Sequence, residues 1–307
     1  MRFAYLGPAG TFAEAALRSM PAAADGILLP QPSVPAALDA LRAGDADAAV
    51  VPLENSVEGS VASTLDELAN GVPLVIAAEI FLPVSFALLV RDGTGYDGIK
   101  SVATHPHAEA QCRRWLRERL PDAEVVLVGS TSAGAAGVAA GEYDASVSAP
   151  IAATTYGLVA LTTDLADNPG AVTRFVMLTR PAAPPERTGY DRTSLVAYIR
   201  DNHAGALLEV LTEFAVRGIN FTRIESRPTK ERLGQYCFSL DCEGHVADAR
   251  VGDALAALHR ICADVRYLGS YPRSDGHPVE PVRTGAADAD FTDAAAWLAQ
   301  VRRDGAP

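Results

Sequence analysis

A hydroxyl, a guanidinium and an aromatic ring stand side by side at Thr173-Arg174-Phe175. The run from Val172 to Leu178 is rich in β-branched and apolar residues and reads as a short strand. Alternate side chains of a strand share a face, so Thr173 and Phe175 point one way and Arg174 the other. A hydroxyl beside a ring can wall an apolar ligand that carries one reactive oxygen. The same triplet would also suit an ordinary last strand with one polar residue. Its weight comes from the polar residues that accompany it.

Those residues recur where apolar runs end. Gly7-Pro8-Ala9-Gly10 turns the chain after FAYLG, and Thr11 with Glu14 has the spacing of a capping box. A strand, a glycine turn and a helix N-terminus leave N–H groups for an anion, although such turns are common. Residues 48–53 form a buried-looking strand followed by Glu54-Asn55-Ser56-Val57-Glu58-Gly59-Ser60, with Ser60 placed to cap the next helix. Polar residues at such a strand end either bind a ligand or form a solvated turn. Residues 99–104 end at Thr104-His105-Pro106-His107, and Pro106 suits the first turn of a helix. That helix turns Ala108, Cys112, Trp115, Leu116 and Leu120 inward, with Gln111 at the edge of the apolar face. His105 and His107 have no third ligand at helical spacing, so a metal site is not expected. A strand at 125–129 runs into the hydroxyl-rich helix start Ser130-Thr131-Ser132.

Repeated strand, polar turn and helix make residues 1–180 an α/β domain of two lobes with a cleft between them. Ser33 and Gly44 bracket one helix by capping chemistry. Residues 73–91 read as one or two strands interrupted by Pro83. Pro181-Ala182-Ala183-Pro184-Pro185 starts a stiff linker at 181–190. Residues 191–273 then follow the order βαββαβ, with a turn near Gly234, which is a ferredoxin-like arrangement. Residues 274–307 are a polar tail with one amphipathic helix carrying Phe291, Trp297, Leu298 and Val301.

Composition narrows the function. The 307 residues suit two domains, and 49% of them are hydrophobic. A net charge of −12 argues against nonspecific nucleic-acid binding, and no RNA-binding aromatic pair is found. No run of about eighteen apolar residues suggests a membrane span, and the first residues lack the apolar core of a secretory signal. Cys112, Cys237, Cys242 and Cys262 form no C-x-x-C pair and read as reduced thiols of a cytoplasmic protein.

In order along the chain, GPAGTF at 7–12, PLENSVEGS at 52–60, THPHAEAQC at 104–112, STSAG at 130–134 and TRF at 173–175 resemble the prephenate dehydratase family. GALLEVL at 205–211 and ESRP at 225–228 resemble the ligand motifs of an ACT regulatory domain. The resemblance implies a first domain like type II periplasmic binding proteins, decarboxylative dehydration of prephenate to phenylpyruvate, and feedback by L-phenylalanine. It implies no cofactor or metal, and a homodimer or homotetramer joined through ACT domains. It places Thr173 as hydrogen-bond donor to the leaving oxygen and Phe175 as a wall beside the ring, with Glu54 or His105 as candidates for a proton relay. It also sets Glu54, Asn55, Thr104 and Gln111 along the cleft, with Ser56 in the same motif. Thr11, Thr131 and Ser132 are candidates to take a carboxylate, and Arg174 braces nearby loops. For the effector it points to Gly205, Ala206, Leu207, Asn220, Glu225, Ser226, Arg227 and Pro228. The competing readings are a non-catalytic sensor of an aromatic acid and an arogenate dehydratase.

Overall fold

The computed structural model describes residues 1–230, 235–277 and 281–305. The chain packs as two compact units, one made of Met1–Thr64 with Ile80–Met177, the other of Leu65–Glu79 with Leu178–Pro307.

The first unit alternates strands and helices as the polar turns require. Strand β1 (Arg2–Leu6) leads through the glycine turn into α1 (Phe12–Arg18), and β2 (Ile27–Gln31), α2 (Val34–Ala43) and β3 (Ala48–Asn55) follow. The Ser33 hydroxyl accepts from the Ala36 N–H at 3.2 Å, and Gly44 ends α2 in the left-handed region, so both ends of this helix are set locally. The chain then turns back as β4 (Gly59–Ser60), and α3 (Ala62–Asn70) begins beyond it and passes into the second unit at Leu65. Ser60 therefore lies in a strand, one residue ahead of the cap position expected of it. β5 (Val75–Pro83), which returns to the first unit at Ile80, and β6 (Ala87–Val90) divide the apolar stretch at Pro83. The rest of the unit is β7 (Ser101–Thr104), α4 (Pro106–Arg119), β8 (Glu124–Leu127), α5 (Thr131–Ala140), β9 (Ala145–Ser148), α6 (Ile151–Tyr156), β10 (Val159–Thr163) and β11 (Val172–Thr179).

Two sheets result. The first has the order β2-β1-β3-β11-β5, with β4 paired to β3. Pro30 sits in its edge strand β2, where a missing N–H is tolerated. β11 lies inside this sheet, so Thr173, Arg174 and Phe175 are all buried although they alternate in face. The second sheet has the order β10-β6-β9-β7-β8. Its strand β6 sends Leu88 and Val90 to a core with Ala108, Cys112 and Leu116 of α4, while Ala87 and Leu89 join Ala135, Val138 and Ala152 of α5 and α6 on the other face.

The second unit contains β12 (Asp191–Tyr198), α7 (Ala206–Ala215), β13 (Phe221–Pro228), β14 (Tyr236–Glu243), α8 (Ala249–Ile261), β15 (Asp264–Pro272) and α9 (Asp288–Asp304). The turn expected near Gly234 lies outside the described residues. The sheet order β13-β14-β12-β15, antiparallel throughout, is the ferredoxin-like arrangement. Leu195, Ala197 and Leu240 pack with Val210 and Phe214 of α7 and with Val251 and Leu258 of α8. The tail docks within this unit: Asp288, the first residue of α9, accepts from the Ala249 N–H at 2.8 Å and so caps α8. Trp297 and Leu298 of α9 remain exposed.

A buried ionic cluster braces the second unit. Arg192 of β12 bridges Glu79 and Asp275, and Arg273 bridges Asp275 (3.0 Å) and Glu243 (2.7 Å). Burial alone would raise the Asp275 carboxyl, but hydrogen bonds from Arg273 and Tyr190 outweigh it and hold the group well below the usual carboxylate range. A carboxyl depressed in the folded state stabilises above its unfolded value, near 4, and that contribution is lost as pH falls toward the folded value. Replacing Arg192 by Ala leaves Glu79 and Asp275 buried without their shared cation, for which about 3–5 kcal/mol of destabilisation is expected. Urea unfolding of Arg192→Ala at pH 7 should show that loss, and the difference from the parent should shrink on acidification below pH 4.

Candidate active site

The hairpin between β3 and β4 builds the centre of the site. Glu54 pairs with Ser60 and Asn55 with Gly59, leaving Ser56, Val57 and Glu58 at the tip. Asn55 closes the tip on itself: its Oδ1 accepts from the Val57 and Glu58 N–H groups at 2.8 and 3.0 Å. This is the local side-chain turn that asparagine favours. With Oδ1 occupied by two donors, Nδ2 has one direction left, and it donates to Thr173 Oγ1 at 2.8 Å. Ser56 stitches the same hairpin to β11. Its N–H donates to the Val172 carbonyl at 2.9 Å and its hydroxyl accepts from the Val172 N–H at 3.0 Å.

Gln111 enters from α4. Its Nε2 donates to Glu58 Oε1 at 3.2 Å, while its Oε1 is buried without a partner. The turn of α4 that carries it is gripped by Asp167. The Asp167 N–H donates to the Gln111 carbonyl at 2.7 Å, and its carboxylate accepts from the Arg114 and Trp115 N–H groups at 2.8 and 3.2 Å. Thr173, Asn55, Glu58 and Gln111 thus form one hydrogen-bonded chain drawn from β11, the β3–β4 hairpin and α4. His105 is the N-cap of α4, its Nδ1 accepting from the His107 N–H at 3.3 Å. Burial and the neighbouring His107 lower the His105 imidazole below its ordinary value, and Glu58 pulls it the other way. The group hydrogen-bonded to the Thr173 hydroxyl is Asn55, not the Glu54 or His105 considered as a relay.

Other residues singled out in the sequence have their hydroxyls committed internally. Thr104 is fully buried and donates to the Val147 carbonyl at 2.8 Å. Thr11 donates to the Leu6 carbonyl at 3.0 Å and accepts from the Glu14 N–H. Glu14 reaches back to the Gly10 N–H at 2.7 Å, one residue before the cap, so a carboxylate of the chain itself occupies that donor of the turn. Ser132 donates to the Ala9 carbonyl, which also accepts from Tyr156 at 2.8 Å. Gly10 has a φ of 82°, and a Cβ there would stand 3.1 Å from Ser132 Oγ, so the turn packs directly against α5. Thr131 is half-buried at the start of α5, beside the capping Ser130. Glu54 is half-buried, and Phe175 and Arg174 are buried on opposite faces of β11.

Sequence reasoning missed Glu58 as a contact of Gln111 and missed Asp167 altogether. Asp167 stands in Asp167-Asn168-Pro169-Gly170, whose composition signals a turn but not the helix it touches. Among the described residues no group of three or more His, Cys, Asp or Glu side chains is arranged to hold a metal ion. Burial, with Asp167 and Glu109 nearby, pushes the Cys112 thiol up to about 12, so it is not a nucleophile at neutral pH.

In the second unit the effector candidates surround the start of α7 and the edge strand β13. Gly205 is the N-cap of α7 with φ 97°, a conformation that strains any side chain. Before it, His203 bonds Asp201 and Glu209, and the Glu209 contact raises the imidazole above its usual value. Ala206 is buried, and Leu207 packs on the helix-side core. Asn220 is exposed, and its carbonyl accepts from the Glu243 N–H. On β13, Ser226 and Pro228 are exposed and Glu225 is half-buried. Arg227 pairs with Asp66 at 2.9 Å. A recess of about 120 Å³ lies beside Ala206, bordered by His203, Glu209 and Cys262.

A family model described as prephenate dehydratase matches residues 3–183. A curated prephenate dehydratase from Amycolatopsis methanolica is 53% identical over 303 residues, covering 98% of each chain. The chain belongs to the prephenate dehydratase family. The crystal structure of the family member from Arthrobacter aurescens, in complex with L-Phe, is 48% identical, has a TM-score of 0.93 and covers 99% of this chain and 100% of that one. GqqA, described as a novel type of quorum-quenching acylase, is 29% identical with a TM-score of 0.80 and covers 90% of this chain and 99% of that one. The fold alone therefore does not decide the reaction. The two-sheet first unit and the ferredoxin-like second unit are the architecture expected of this family. No helix among the described residues is long and apolar enough to cross a membrane.

Proposed function

We propose that the protein catalyses the decarboxylative dehydration of prephenate to phenylpyruvate, with the Thr173 hydroxyl as hydrogen-bond donor to the departing ring oxygen. The observation that carries this reading is the Asn55–Thr173 hydrogen bond of 2.8 Å, in a chain of this family. In the reaction the bond from the ring to its carboxylate breaks and carbon dioxide leaves. The electron pair moves through the ring and expels hydroxide from the opposite carbon, which takes one proton from solvent to become water. Aromatisation supplies the driving force. Because Asn55 donates into Oγ1, the Thr173 hydrogen is directed away from Asn55 and is the better donor for that polarisation. A threonine hydroxyl is too weak an acid to give up its proton outright. It acts by a contact that strengthens as charge grows on the leaving oxygen.

Around this donor, Glu54, Asn55 and Gln111 are the polar wall and Phe175 the apolar one. Ser56 and Arg174 act as braces, and Thr11, Thr104, Thr131 and Ser132 shape the surroundings of the substrate carboxylates. Residues 1–180 serve catalysis, 181–190 link, 191–273 regulate and 274–307 form the tail. The protein works in the cytoplasm. Thr173→Ala should lower kcat on prephenate by about 10²–10³ with KM changed only a few-fold, since one transition-state donor is lost. Following phenylpyruvate from prephenate and phenylalanine from arogenate also separates the two substrates. An unchanged kcat in the variant would remove Thr173 from the mechanism.

L-phenylalanine is the feedback effector in this reading, bound at the start of α7 and along β13. Support comes from the relative solved with L-Phe. The recess beside Ala206 is well below the roughly 300–1,000 Å³ of complete ligand pockets. It fits a site completed by a second ACT domain in a homodimer or homotetramer, with the partner's β13 supplying the remaining contacts. Gly205→Leu confounds blockage with backbone strain, so Ser226→Leu, on exposed strand β13, is the cleaner probe. It should raise the phenylalanine concentration for half-inhibition by about tenfold or more, the loss of one good contact, without altering uninhibited turnover. Undiminished inhibition and undiminished binding by calorimetry would place the effector elsewhere.

A further inference from the structure

We infer that Glu58 is a positioning residue that pins the Gln111 amide with its oxygen inward, where it receives the hydroxyl hydrogen of the substrate. The inference rests on the dehydratase reading and extends it to a residue at the exposed hairpin tip. Glu58 is tied into the site through its backbone, since its N–H donates to Asn55 Oδ1 at 3.0 Å. Its carboxylate receives Gln111 Nε2 at 3.2 Å. An ionised carboxylate can only accept, so this contact selects one of the two orientations of the amide. The selected orientation leaves Gln111 Oε1 buried and without a partner. A buried acceptor without a donor is unfavourable until a donor reaches it. The helix turn beneath is already held by Asp167, so the side-chain torsions are what Glu58 has left to set.

The chemistry of the ligand identifies the missing donor. With both carboxylates ionised, prephenate has a single hydrogen-bond donor, its ring hydroxyl. That hydroxyl would donate to Gln111 Oε1 and accept from Thr173. Gln111 then orients the leaving group, and Glu58 acts only through Gln111.

The test is steady-state kinetics on prephenate with the full-length protein. Glu58→Ala should lower kcat/KM by about tenfold, in keeping with one hydrogen bond to a charged group. Glu58→Gln keeps an oxygen acceptor but adds a donor that also tolerates the turned amide, so it should recover only part of the loss. Combined with Gln111→Ala, Glu58→Ala should cost nothing further. The inference is overturned if Glu58→Ala stays within twofold of the parent. It is equally overturned if Glu58→Gln restores full parental activity, which would show that an acceptor-only group is not needed, or if the two losses multiply.

Discussion

Two backbone N–H groups at the hairpin tip occupy Asn55 Oδ1, and that occupancy decides which way the Thr173 hydrogen points. An amide has one oxygen and one nitrogen end. Once the oxygen is fixed by Val57 and Glu58, the nitrogen must donate, and the acceptor it meets is Thr173 Oγ1. A threonine hydroxyl alone could accept, donate or rotate. Here its acceptor side is engaged and its hydrogen is left for a ligand. The direction is set before any ligand arrives, which is the preorganisation that makes a neutral donor effective.

The remainder of the first unit holds this geometry. β11 is interior to its sheet, so Thr173 sits on a strand buried on both faces. Ser56 pins the hairpin to that strand by two hydrogen bonds at Val172. From the other sheet, α4 brings Gln111 to Glu58, and Asp167 grips the turn of α4 that carries it. Strand β11 also runs on into the second unit at Leu178. The strand bearing Thr173 is therefore a covalent route by which an effector that binds two states unequally would bias the proposed donor.

Much of this was legible because local chemistry wrote it. Ser33 and Gly44, like Ser130 and Gly141, mark helix ends by capping rules that act within one turn, and the structure follows them. Alternation in β11 foretold that Thr173 and Arg174 face apart. Partners far apart in sequence were not legible. Thr104, Ser132 and Thr11 stand at polar strand ends or helix starts, as a binding residue would, yet each hydroxyl finds a nearby carbonyl of the chain. Asp167 meets α4 across more than fifty residues, and nothing in its own turn signals that helix. Type and periodicity assign a face; only the packed chain decides which acceptor lies there.

In the proposed reaction Asn55 acts by donating to Thr173. Asn55→Asp isolates that donation, because the side chain keeps its shape and its acceptor for Val57 and Glu58 but can no longer donate. Thr173 would then turn its hydrogen toward the new carboxylate and away from the substrate. The measurement is kcat on prephenate for Asn55→Asp, Thr173→Ala and the double variant. A loss of about 10²–10³ is expected in each single variant, with no further loss on combining them. Parental kcat in Asn55→Asp, or losses that multiply in the double variant, would contradict it.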